Sequence, residues 1–271
     1  MMLVMGVDIG AAGSKALVLS EGKTLGYSIR HTGADVTESA ARVAEEASRK
    51  AGVLLNDLDY ILSTGWGRSA VDFAQKTESE IICHAAGAHY LIPEARGVID
   101  IGGQDSKAIL MDGDGLVCDF IMNDKCAAGT GRFVETLCNI LEIKLEDVGD
   151  LALKSKNPCL MSSTCVVFAE TEVVAYRSKK RPIEDIVAGV LGSLIKRVCT
   201  MAYRINLDKL GEKIVFTGGT AKNPGLVKFL EEEFKKELIV ADEPQIVGAL
   251  GAALLAEGEL ASLQRDQEGT V

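Results

Sequence analysis

Short apolar runs broken by glycine or charge open the chain, and their alternation predicts strands at Leu3–Val7, Ser14–Ser20 and Thr24–Arg30. Helical spacing takes over at Thr37–Lys50, where Ala40, Val43, Ala44 and Ala47 share one face. A strand at Tyr60–Ser63 leads into the turn Thr64-Gly65-Trp66-Gly67-Arg68, and the strand and hairpin pattern returns between Val98 and Ile121. Beyond it the pattern predicts helices at Gly129–Leu141, Val166–Tyr176 and Ile183–Asn206. A strand at Lys213–Phe216, a helix from Pro224 and a last helix rich in Ala and Gly at Ile246–Ala256 follow. Gly149–Pro158 reads as an irregular connection, and residues after Glu257 as a frayed polar tail.

The pattern repeats itself. Val7–Leu19 (VDIGAAGSKALVL) and Ile99–Met111 (IDIGGQDSKAILM), 92 positions apart, are identical at six of 13 positions. Each copy is a strand ending in Asp-Ile-Gly, a turn of small residues and a second strand, so the chain reads as two related halves. The predicted class is therefore α/β, with two related domains around a cleft. The expected bounds are 1–96 for the first half, 97–257 for the second and 258–271 for the tail.

Glycines in these turns (Gly10 and Gly13; Gly102 and Gly103) allow close backbone approach, so that turn amides face an anion. Ala11, Ala12, Ser14 and Lys15 complete the first loop. Asp8 and Asp100, at the ends of the first strands, are placed to hold magnesium or orient water. Gln104 and Asp105 are expected near a terminal phosphate. One glycine-turned hairpin alone is as readily a plain hairpin; two copies sharing Asp, Ser and Lys favour a polyphosphate clamp. A third glycine turn, Gly218-Gly219-Thr220-Ala221, precedes Asn223-Pro224 at a helix start and suits the nucleoside end. Glu135 is a further candidate for the nucleotide site, or an exposed helix acid. A P-loop is excluded because Gly10 to Gly13 is two residues short of the glycine spacing in G-x-x-x-x-G-K and a strand follows. A dinucleotide fingerprint would need glycine at Asp8.

Composition narrows the class. Hydrophobic residues make up 47% of 271, mean hydropathy is +0.16, and net charge is −10. These values predict a folded chain with no basic stripe, and so no nucleic-acid partner. No apolar run reaches the roughly 18–20 residues of a membrane span, and the start lacks a signal-peptide pattern, which predicts a cytoplasmic protein without a membrane partner. Seven cysteines in a reducing compartment argue against a disulfide framework. Cys126 and Cys165 stand before predicted helices, where the positive end of the dipole favours a thiolate or an anionic cluster. Cys83, Cys138 and Cys199 sit in apolar contexts, Cys118 in a strand and Cys159 in a loop. Two ligands per chain in a homodimer would supply the four thiolates of an iron–sulfur cluster. A structural zinc on the same residues is equally allowed by spacing.

The motifs VIDIGGQDSK (98–107), NDKCAAGTGRF (123–133), SSTCVVFAETEV (162–173), VFTGGTAKNPG (215–225) and GALGAAL (248–254) make the chain resemble one family. It is similar to the activator components of 2-hydroxyacyl-CoA dehydratases, the (R)-2-hydroxyglutaryl type among them, within a wider ATPase family that includes benzoyl-CoA reductase subunits. The likeness runs from the first strand to about Ala256. It implies an actin-like, duplicated ribonuclease-H-like fold, with ATP/ADP and Mg2+ in each subunit. It also implies one 4Fe-4S cluster per homodimer, held by Cys126 and Cys165. Such an activator takes an electron from ferredoxin or flavodoxin and passes it to the dehydratase on ATP hydrolysis. Ala11 and Ala12 depart from the family's Ser and Thr, which leaves Ser14 or backbone amides to meet phosphate; Trp66 replaces the family's Tyr. A small-molecule (sugar) kinase of the same superfamily is the alternative function.

Overall fold

A computed structural model describes residues 2–162, 165–206, 209 and 211–268. They form two compact units. Unit 1 comprises Met1–Glu94, Met111–Cys118 and Gln245–Val271, and unit 2 comprises Ala95–Leu110 and Asp119–Pro244. The division departs from a single cut at 96/97, because the segment Met111–Cys118 and the last helix belong to the first unit.

Unit 1 holds β1 (Val4–Ile9), β2 (Gly13–Ser20), β3 (Lys23–His31), α1 (Val36–Ala51), β4 (Tyr60–Thr64), β5 (Lys76–Thr77) and α2 (Glu80–Leu91). Its sheet runs β3-β2-β1-β4-β5. β1 is antiparallel to β2 and parallel to β4. All six β1 residues are buried, as expected of a central strand covered on both faces. One face packs Met5, Val7 and Val18 against Ala40, Val43, Ala44 and Ala47 of α1. That helix is capped by Asp35, whose Oδ1 accepts the Glu38 amide at 2.9 Å, and ends at Gly52 with φ +75°.

Unit 2 holds β6 (Gly97–Ile101), β7 (Ser106–Met111), β8 (Val117–Asn123), α3 (Gly131–Leu141), α4 (Val148–Leu153), α5 (Val166–Ser178), α6 (Ile183–Ala202), β9 (Lys213–Thr217), α7 (Pro224–Phe234) and β10 (Glu237–Val240). Its sheet reads β8-β7-β6-β9-β10, with β6 antiparallel to β7 and parallel to β9. That is the strand order of unit 1 repeated, so the sequence duplication is a duplication of fold. The helix Ile183–Ile205 has the length and mean hydropathy (1.4) of a membrane span, although Glu184, Asp185, Lys196 and Arg197 interrupt its apolar run. It is 67% buried, with Leu191, Leu194 and Val198 among the core side chains, so it is the central core helix of this unit.

The last helix, α8 (Val247–Glu268), covers the other face of the first sheet, where Ala249, Ala252, Ala253 and Ala256 meet Val4, Leu17, Leu19 and Leu62. A Cβ on Gly6 would lie 2.0 Å from the Ala249 carbonyl oxygen, and one on Gly251 would lie 1.7 Å from that of Cys83. Only glycine lets α8 approach β1 and α2 so closely. The helix continues to Glu268, past the expected start of a polar tail at 258; residues 269–271 lie outside the described residues. Two helices had no clear sequence signal. α2 buries residues nearly all round, which blurs its period, and α4 occupies part of the expected irregular connection.

Candidate functional site

Each unit carries one hairpin turn of the same construction. In unit 1 the Gly10 N–H donates to the Gly13 carbonyl at 3.0 Å; in unit 2 the Gly102 N–H donates to the Asp105 carbonyl at 2.9 Å. Strand register sets Asp8 opposite Lys15 and Asp100 opposite Lys107. The side chains meet there. Lys15 Nζ lies 3.0 Å from Asp8 Oδ2, and Lys107 Nζ lies 3.0 Å from Asp100 Oδ2.

The parallel neighbour strand completes each carboxylate's surroundings. Thr64 stands beside Asp8 and Thr217 beside Asp100. The Thr217 hydroxyl donates to Asp100 Oδ1 at 2.8 Å. The next residues, Gly65 and Gly218, both have φ +88°. A Cβ on Gly65 would fall 2.5 Å from Asp8 Oδ1, and one on Gly218 would fall 2.9 Å from Asp100 Oδ1. Both glycines thus keep open a cradle around a buried carboxylate. Lys107 and Thr217 lie within sequence motifs and Thr64 opens a glycine turn, but their placement beside the carboxylates becomes visible only through register. Buried His84 of α2 is an unmarked neighbour: its Nε2 and Asp8 Oδ2 lie 3.0 and 3.1 Å from where a Cβ on Gly248 would be.

In the first loop the Ser14 hydroxyl is turned inward. Ser14 is wholly buried and its Oγ is 2.8 Å from Thr32 Oγ1, so it braces the turn from within. Thr32 also donates its hydroxyl to the Gly10 carbonyl at 2.7 Å and its amide to that of Ala12 at 3.1 Å. With Ala11 and Ala12 lacking hydroxyls, backbone amides and Lys15 are the donors this loop presents. In the second loop Gln104 is exposed and half-buried Asp105 holds Lys107 at 3.0 Å.

At the third glycine turn, Gly219–Lys222 form a 3-10 turn, buried Ala221 joins the core, and the Thr220 hydroxyl donates to the Ile101 carbonyl at 2.8 Å. Asn223 caps α7, its Oδ1 accepting the Leu226 amide at 3.0 Å. Glu135 faces outward on α3, 3.4 Å from Arg132 of the same helix.

The cysteines separate by environment. Burial pushes the thiols of Cys83 and Cys199 up to about 12 and that of Cys138 to about 11, which keeps them protonated in the core. Cys126 and Cys165 are half-buried. Cys165 is the N-cap residue of α5; Ser163 and Thr164 of its motif lie outside the described residues. Cys126 caps a 3-10 turn, Ala127–Gly129, one step before α3 and not α3 itself as the sequence suggested. Asn123 fixes its backbone, donating from Nδ2 to the Cys126 carbonyl at 2.8 Å and accepting the Cys126 amide at 3.2 Å. The second loop is bonded to the same segment: the Gly131 and Arg132 amides donate to the Gly102 and Gly103 carbonyls, each at 2.9 Å. Among the described residues no cluster of three or more His, Cys, Asp or Glu is arranged to hold a metal.

The chain as a whole is similar to known proteins. The chain is 42% identical to a 2-hydroxyisocaproyl-CoA dehydratase activator of Clostridioides difficile, over 98% of both chains. It is 43% identical to an activator of lactoyl-CoA dehydratase of Anaerotignum propionicum, over 94% of this chain and 97% of that one. The solved structure of the Clostridium difficile activator with bound ADPNP superposes with a TM-score of 0.92 at 41% identity, covering 98% of each chain. A Streptomyces griseus glucokinase, 13% identical with a TM-score of 0.59 over 94% of this chain and 99% of that one, shares the fold alone. The model of the BadF/BadG/BcrA/BcrD ATPase family matches residues 5–256, and the chain belongs to that family.

Proposed function

We propose that this chain is an activator that hydrolyses ATP to deliver a low-potential electron to a 2-hydroxyacyl-CoA dehydratase. One observation carries the reading: the phosphate loop Gly102–Gly103 accepts the first amides of α3, immediately after the turn that Cys126 caps. A nucleotide that shifts this loop acts on Cys126 through backbone bonds inside one unit. Named relatives that serve dehydratases of different acyl-CoA substrates, at nearly equal identity, support the activator role.

Asp8 and Asp100 are the carboxylates for a magnesium ion and the attacking water, with Lys15 and the loop amides as phosphate donors. Magnesium, when bound, neutralises charge on the phosphates. Cys126 and Cys165, with the same pair from a second copy, would hold one 4Fe-4S cluster across a homodimer. The cluster supplies one-electron reducing power, and ferredoxin or flavodoxin is the donor. Such a protein works in the cytoplasm.

The test is anaerobic activation of a purified 2-hydroxyacyl-CoA dehydratase with a chemical reductant. Activation that needs this chain and ATP, and stops with a non-hydrolysable analogue, supports the reading. ATP-dependent sugar phosphorylation by iron-free protein contradicts it.

A further inference from the structure

The chain carries net charge −10, yet the surroundings of Cys126 are cationic. A cavity of about 600 Å3 in unit 2 is lined by the cations Lys125, Lys196, Arg197 and Arg204 and by a single acid, Asp124. Of these cations, Arg197 reaches the sulfur: its Nη1 donates to Cys126 Sγ at 3.7 Å. The residue is half-buried on α6, and its Cβ is 3.8 Å from where a Cβ on Gly129 would lie, so the 3-10 turn of Cys126 runs close to this helix. Because Asn123 fixes the Cys126 backbone at both its amide and its carbonyl, the sulfur is held where the guanidinium can meet it.

A guanidinium is charged at every physiological pH and its N–H groups are donors only. Aimed at a thiolate sulfur, it favours whichever state carries more negative charge. We infer that Arg197 is a positioning residue for the sulfur of Cys126 that raises the reduction potential of a cluster bound there. This rests on the proposed cluster assignment. One electron enters from a reductant, no bond forms or breaks, and the added negative charge strengthens the N–H···S contact. Arg197 would thereby ease loading of the electron from the donor, leaving the ATP-driven change at Cys126 to make its release favourable.

The test uses anaerobically prepared holoprotein, titrated with titanium(III) citrate and followed by electron paramagnetic resonance. At a potential where the wild type is half reduced, Arg197→Gln should lower the reduced-to-oxidised ratio about tenfold, equivalent to about 59 mV for a one-electron couple. Arg197→Lys keeps the charge without the planar fork and should shift less, in the same direction. Arg49→Gln, which removes a charge from exposed α1 in unit 1, should titrate as wild type. An unchanged midpoint in iron-loaded Arg197→Gln overturns the inference and leaves the activator reading intact. Loss of iron from Arg197→Gln with an unchanged midpoint in Arg197→Lys also overturns it, since Arg197 would then retain the cluster without tuning it. Wild-type protein without iron refutes the underlying assignment instead.

Discussion

The hairpins of the two units share register, a closing amide bond and an Asp–Lys pair, yet they bury that pair to different depths. Lys15 is 16% exposed at its side chain and held by Asp8; Lys107 is 2% exposed and held by both Asp100 and Asp105. The residue that closes the turn is Gly13 in the first loop and Asp105 in the second. Duplication thus preserved the scaffold while its lysines diverged. Lys15 is a donor near the surface of its loop, whereas Lys107 is an internal strut that fixes two carboxylates. The second loop accepts the Gly131 and Arg132 amides just beyond the Cys126 turn, and the proposed activator role makes it the loop that would transmit a change.

The largest expected difference follows from burial. Asp100→Ala strips Lys107 of a partner in the interior and should destabilise by about 3–5 kcal/mol. Asp8→Ala removes the partner of a more accessible lysine and should cost about 1.5–3 kcal/mol. Chemical denaturation of both variants measures the gap; equal losses would erase the distinction between strut and donor. The glycines come next. Gly218 adopts φ +88° and ψ 171°, which side chains strongly disfavour, so Gly218→Ala should cost about 1–3 kcal/mol from the backbone alone. Crowding by the Ile101 carbonyl, 2.5 Å from the added Cβ, comes on top. Gly65→Ala should behave alike. Gly52→Ala, also at positive φ but with nothing within 4 Å, should cost less than either, and thermal melts ranking it highest in cost would refute the cradle.

Acid produces the smallest effect. In unit 1 a hydrogen bond from Arg30 holds Glu46 down at about 2, below its ordinary 4.5. In unit 2 a hydrogen bond from Ser155, with the amides of Asn157 and Lys156, lowers Asp185 from 3.8. Depressed carboxylates stabilise fully above their unfolded values, and that stability is lost as pH falls through the folded ones. Glu46→Gln should therefore flatten the stability profile of unit 1 between about pH 4.5 and 2, and Asp185→Asn that of unit 2 below about pH 4. Site-resolved hydrogen exchange across this range checks whether each effect stays within its unit.

Much of this was legible in the chain. The repeated DIG and SK signatures announce two hairpins because each copy must make the same turn and end on the same acid. The pairing of Asp8 with Lys15 and of Asp100 with Lys107 was not legible, since it depends on cross-strand register. Ser14 reads as a loop hydroxyl in sequence, but Thr32 on the neighbouring chain segment draws it inward. Arg197 is 71 residues from Cys126, and no local pattern joins them. The return of α8 to unit 1 is likewise a packing decision, made by Gly6, Gly87 and Gly251 and not by any boundary signal.

Iron analysis joined to native mass, on protein purified without oxygen, tests the central claim most directly: phosphate loop and cysteine form one device completed by a second copy. The account predicts a dimer with about four irons per two chains, absent from Cys126→Ser and from Cys165→Ser but kept in Cys138→Ser. Iron-free wild-type protein, or full iron in a monomer, would contradict it.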